Sequence, residues 1–103
     1  MRVTRRLRVT VDRKEVAVGT PIIVRVRDDQ RRPVAGAFVT TETKSVRTDD
    51  RGLCRLRLDA PGFWKIVAAK SATDRVTYEP ASALVRVLPN EAALRPLGRV
   101  GYR

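Results

Sequence analysis

Histidine is absent from this 103-residue chain, and cysteine occurs once, as Cys54. Without histidine there is no imidazole base and no Cys/His zinc site. A single thiol cannot close an intrachain disulfide. Aromatic residues make up only 5% of the chain, and its Asp and Glu number 11 against 22 Lys and Arg. Long apolar runs are missing too. No segment approaches the ~20 apolar residues of a membrane-spanning helix. The basic N-terminus has no apolar run behind it, so no signal peptide is expected, no membrane partner, and a cytoplasmic location. Nucleophile motifs, phosphate-cradling glycine loops and carboxylate pairs on a rigid cleft are likewise missing. The expectation is a non-enzymatic protein without a catalytic residue, metal or cofactor.

What is present is positive charge and a period of two. The net charge is +11 and the isoelectric point about 11.3. Of the 22 basic residues, 18 are arginine. Its planar fork pairs two-pronged with phosphate or carboxylate, which lysine cannot do. A small domain of this charge commonly meets a polyanion or a strongly acidic surface. The plainer alternative is a set of solvated strand faces rich in arginine. The hydrophobic fraction of 43% suits a globular chain rather than a disordered one, and a single domain of this length buries roughly 60–70% of its unfolded surface.

The segment from Thr48 to Lys70 organises the rest. Asp49-Asp50-Arg51-Gly52 is a turn with glycine at a positive-φ position. Leu53 to Leu58 then alternates, with Cys54, Leu56 and Leu58 on one side and Arg55 and Arg57 on the other. Ala60-Pro61-Gly62-Phe63 fits a type II turn. Phe63 to Ala69 is apolar on both faces except at Lys65, the pattern of a central strand. Earlier in the chain, Val3 to Val11 reads as one strand carrying Arg6 and Arg8 on its polar parity, and residues 15–18 as a short edge piece. Ile22 to Arg27 puts Ile22, Val24 and Val26 inward and Arg25 and Arg27 outward. Strands are also expected at Ala37–Glu42, Ser45–Thr48 and Ser82–Leu88, with Ser71–Ala81 as a long connection. Residues 1–89 form the domain. Residues 90–103 form a basic C-terminal tail in which Asn90 caps one helical turn through Leu94.

The ordered set Val18-Gly19-Thr20-Pro21, Pro33-Val34-Ala35-Gly36-Ala37-Phe38-Val39, Thr48-Asp49-Asp50-Arg51-Gly52 and Pro61-Gly62-Phe63-Trp64-Lys65-Ile66-Val67-Ala68 resembles the immunoglobulin-like β-sandwich modules called carboxypeptidase regulatory-like, or prealbumin-like, domains. It is also similar to bacterial immunoglobulin-like repeats. The resemblance covers about three-quarters of the chain. It implies an all-β antiparallel sandwich of about seven strands, no inherited catalytic site, and an accessory, structural or adhesive role.

In an immunoglobulin-type order the first, second and fifth strands are neighbours in one sheet. Arg6, Arg8, Arg25, Arg27, Arg55 and Arg57 then share one outward patch, with cross-strand neighbours ~5 Å apart. Like charges opposite one another destabilise a sheet, so their accumulation points to an external anion, or to acidic side chains folded over the face. Arg95, Arg99 and Arg103 in the tail extend the candidate anion-binding set. The partner is an anionic macromolecule, either an acidic protein surface or RNA or DNA held by its phosphates. A third reading is an ordinary interaction or adhesion domain that pairs through loops or an edge strand. Of the aromatics, only Phe38, Tyr78 and Tyr102 are candidates for exposure. Trp64 is expected in the core and Cys54 as a buried, inert thiol. Asp28, Asp29, Asp49, Asp50 and Asp74 fall in loops expected at one end. Calcium is conceivable there, but turn formation and pairing with Arg31, Arg32, Arg51 and Arg75 explain them more simply.

Overall fold

A computed structural model describes residues 3–89, and within them the chain is all-β. There are ten strands rather than about seven: β1 (Val3–Arg6), β2 (Arg8–Val11), β3 (Glu15–Ala17), β4 (Pro21–Arg27), β5 (Phe38–Thr40), β6 (Ser45–Arg47), β7 (Leu53–Arg57), β8 (Gly62–Ala69), β9 (Val76–Glu79) and β10 (Ala81–Leu88). The basic tail, with the helical turn expected at Asn90–Leu94, lies outside the described residues.

The strands form three sheets, ordered β2-β4-β7, β3-β10-β8-β5-β6 and β1-β9. The alternation in β4 dictates the first. Ile22, Val24 and Val26 are fully buried, while Arg25 and Arg27 are exposed. In β7, Cys54 and Leu56 repeat the pattern against Arg55 and Arg57, and the two strands pair antiparallel with Val24 opposite Cys54. In the five-stranded sheet, Val39, Ile66, Ala68 and Val85 are fully buried and join the same hydrophobic cluster as the inward residues of β4 and β7. The two sheets therefore share one core. Fully burying each Val, Leu or Ile side chain contributes roughly 1.5–3 kcal/mol relative to exposure.

Four expectations are corrected. Val3–Val11 is not one strand. Leu7, 2% exposed, separates β1 from β2, and the two belong to different sheets. β1 runs parallel to β9, with Arg6 opposite Glu79, whereas β2 runs antiparallel to β4. The 71–81 connection is also not strand-free, because it contains β9. Third, Trp64 stands at the rim of the core, half-buried, its Nε1 donating to the Ala60 carbonyl at 2.8 Å. Finally, β8 is central in its sheet, between β10 and β5, yet only one of its faces is covered. Phe63 is 69% exposed on the other face, near Leu84 of β10 at 57%.

The turns follow local chemistry. Gly52 has φ 75°, in the left-handed region where a side chain is strained. A Cβ there would lie 2.5 Å from the Val26 carbonyl oxygen. Asp49 Oδ1 accepts from the Arg51 and Leu53 amides at 2.8 and 3.0 Å, which closes the loop into β7. These amide bonds hold the exposed Asp49 carboxyl below its ordinary range. Buried Thr48 ties the entry of β5 to the end of β6. Its Oγ1 donates to the Val34 carbonyl at 2.6 Å and accepts from the Ala37 amide at 2.9 Å.

Candidate anion-binding face

β4 lies between β2 and β7, so the outward residues of all three strands share one surface. The register sets their neighbours. Arg8 is directly opposite Arg27, and Thr10 is opposite Arg25. On the other flank Arg25 faces Leu53, Ile23 faces Arg55, and Pro21 faces Arg57. Arg8, Arg25, Arg27, Arg55 and Arg57 are all exposed. Together they make a diagonal band that starts at the Arg8–Arg27 pair, crosses β4 and ends at Arg57.

None of these arginines takes part in an ion pair among the described residues. Such pairs join Arg5 to Asp29, Arg6 to Glu79, Arg32 to Asp28, Lys44 to Asp59 and Arg86 to Glu15. Arg6 is therefore not where the sequence places it. Its strand belongs to the β1-β9 sheet, and its Nε donates to Glu79 Oε1 at 3.1 Å. A shallow depression of about 280 Å³ still touches both Arg6 and Arg8, but Asp29 and Glu79 line it as well, so its charge is balanced. Arg95, Arg99 and Arg103 lie outside the described residues.

A residue missed from sequence joins the band. Arg31 lines a depression of about 380 Å³ together with Arg8, Thr10, Arg25, Arg27 and Asp28. It has φ 65°, the one positive value at a non-glycine position among the described residues. The left-handed conformation costs roughly 1–2 kcal/mol for an ordinary residue. Asp28 imposes it. Its Oδ1 accepts from the Gln30 and Arg32 amides at 2.8 and 3.0 Å, its Oδ2 from Arg32 Nε at 3.3 Å, and its carbonyl from the Arg31 amide at 3.0 Å. Burial pushes the Asp28 carboxyl upward, but the two amides and the Arg32 guanidinium outweigh it and leave it below the ordinary value. The run Asp28-Asp29-Gln30-Arg31-Arg32 signals a turn, but nothing local in it tells which arginine rises toward the sheet.

Three of the loop aspartates act as turn formers or ion-pair partners. Asp28 and Asp49 are engaged by their own loops, and Asp29 lies 3.8 Å from Arg5. Among the described residues, no three His, Cys, Asp or Glu side chains gather as a metal-binding group. Cys54 is buried, and burial together with the nearby Asp49 charge pushes its thiol up to about 11.

The opposite outer face, on the five-stranded sheet, differs in character. Arg47 lies 4.6 Å over the Phe38 ring and Arg86 6.0 Å over Phe63. Phe38 and Tyr78 are half-buried, so Phe63 is the most exposed aromatic among the described residues.

No family model matches this chain, and no curated protein matches it in sequence. No helix among the described residues is long and apolar enough to cross a membrane.

Proposed function

We propose that this protein is a non-enzymatic docking module, an immunoglobulin-like β-sandwich that binds an anionic macromolecule through the exposed face of β2-β4-β7. The observation that carries this reading is the Arg8–Arg27 pair, two guanidinium-bearing strand positions set opposite each other with no carboxylate in ion-pair range among the described residues. Like charges directly opposed destabilise a sheet, and an external anion removes that penalty. The sandwich reading is supported by the shared core and by the strand order. The second half of the first expected strand forms one sheet with the second and fifth, and the last, sixth, third and fourth line up in the other. This neighbourhood is the one that an immunoglobulin-type order implies. An unpaired, buried Cys54 suits a reducing, cytoplasmic setting.

Two charge-matched variants test the face. One carries Arg25→Gln, Arg27→Gln and Arg55→Gln. The other carries Arg47→Gln, Lys65→Gln and Arg86→Gln on the opposite outer surface. Elution from immobilised heparin should shift to lower salt for the first and change little for the second. Equal shifts would reduce the effect to net charge and refute a dedicated face.

A further inference from the structure

We infer that the anion held by this face is the phosphodiester backbone of double-stranded or folded nucleic acid, contacted without reading bases. The inference rests on the docking reading above and names its partner. Three features of the face carry it.

The first is spacing. Successive outward positions on a strand are ~6.8 Å apart and directly opposite ones ~4.5–5.5 Å. The band from the Arg8–Arg27 level to the Arg57–Pro21 level therefore runs about 20 Å along β4. A duplex carries one charge per ~1.7 Å of axis, so this length presents about a dozen phosphates, roughly half of them turned toward the protein. Arg8, Arg25, Arg27, Arg31, Arg55 and Arg57 match that number, and each fork can hold a phosphate in two-pronged fashion.

The second is composition. The cores of protein–protein interfaces are depleted in Lys, Asp and Glu, and their arginines are set among buried aromatic anchors. Here the residues between the arginines are Thr10, Pro21, Ile23 and Leu53, with no aromatic among them. A strongly positive surface without an aromatic anchor matches protein–nucleic acid contacts instead.

The third concerns the form of the nucleic acid. Single strands are held largely by stacking bases on exposed aromatic rings. The exposed Phe63 belongs to the five-stranded sheet, not to this one. Among the described residues the arginine face offers no aromatic ring for a base to stack on, which favours a ligand that keeps its bases paired and offers phosphates.

The test is fluorescence anisotropy with the full chain and three probes: a 20-base-pair duplex RNA and a duplex DNA of arbitrary sequence, and labelled poly-L-glutamate. For either duplex, log affinity should fall with log salt at a slope of about −5, roughly a thousandfold weakening between 50 and 200 mM. The Arg25/Arg27/Arg55→Gln variant should flatten the slope to about −3 and weaken binding on the order of 10²–10³-fold near 0.1 M salt. The Arg47/Lys65/Arg86→Gln variant should stay within a few-fold of the unaltered chain. Circular dichroism confirms that both variants are folded. Arginine-dependent binding to poly-L-glutamate alone would overturn the nucleic-acid inference and leave the docking reading standing. Equal losses in the two variants, or no binding to any probe at 50 mM salt, would overturn both.

Discussion

Arg8 and Arg27 stand directly opposite each other on adjacent antiparallel strands, both exposed and neither ion-paired among the described residues. Alanine or threonine would pack there without repulsion. The free protein thus carries a standing electrostatic penalty at the point where the arginine band begins.

Removing half of that pair should stabilise the free protein. Arg27→Gln keeps a flexible, polar side chain, though a shorter one, and deletes the repulsion, so a gain of about 0.2–1 kcal/mol is expected at low salt. Near 1 M salt, where screening acts over ~3 Å, the gain should vanish. Urea denaturation at the two salt concentrations measures it. Equal gains at both would mean that the effect is not electrostatic.

Arg31 should show an exchange between stability and binding. Its left-handed backbone costs roughly 1–2 kcal/mol, partly offset on replacement by the ~0.5–1 kcal/mol of extra chain entropy that glycine loses on folding. Arg31→Gly is expected to raise stability by up to about 1 kcal/mol and to lower the salt at which the protein leaves heparin. Thermal melts and heparin elution on the same sample read both effects.

Gly52 tolerates no side chain. With φ 75° and backbone atoms of Val26 and Val34 2.5 and 3.0 Å from a built Cβ, neither neighbour is a flexible side chain that can yield. The Val26 amide also donates to the Gly52 carbonyl at 2.8 Å. Gly52→Ala should destabilise the fold by about 2–3 kcal/mol, visible as a lower urea midpoint. A loss below ~0.5 kcal/mol would contradict the described turn.

Cys54 should be inert in the native state. Its thiol is pushed to about 11 from 9.0, chiefly by burial, so almost no thiolate exists at neutral pH. A thiol reagent should label it only as fast as the protein opens, and fully in denaturant. Because the folded state favours the neutral thiol, the associated stability is intact below pH 9 and declines as pH rises toward 11. Replacement by Ala should remove that alkaline decline.

Much of this architecture is legible in the chain itself. Alternation in Ile22–Arg27 and Leu53–Leu58 assigns each side chain to the core or to solvent, because successive residues of a strand point to opposite faces. It thereby places Arg25, Arg27, Arg55 and Arg57 outward, as found. Gly52 marks a turn because only glycine enters its φ region freely. Parity does not say which sheet a strand joins or whether a second layer covers its far side. Arg6 and Arg8 have the same parity, yet a crossover at Leu7 sends Arg6 to Glu79, 73 residues away, and leaves Arg8 facing Arg27. Phe63 reads as interior until the uncovered side of β8 is seen. Arg31 enters the face only because Asp28 folds its loop back on itself. Local sequence thus determined the strands and the direction of each side chain. Long-range pairing decided which arginines stand together, because hydrogen bonds between segments distant in the chain, not periodicity within one, set the register of a sheet.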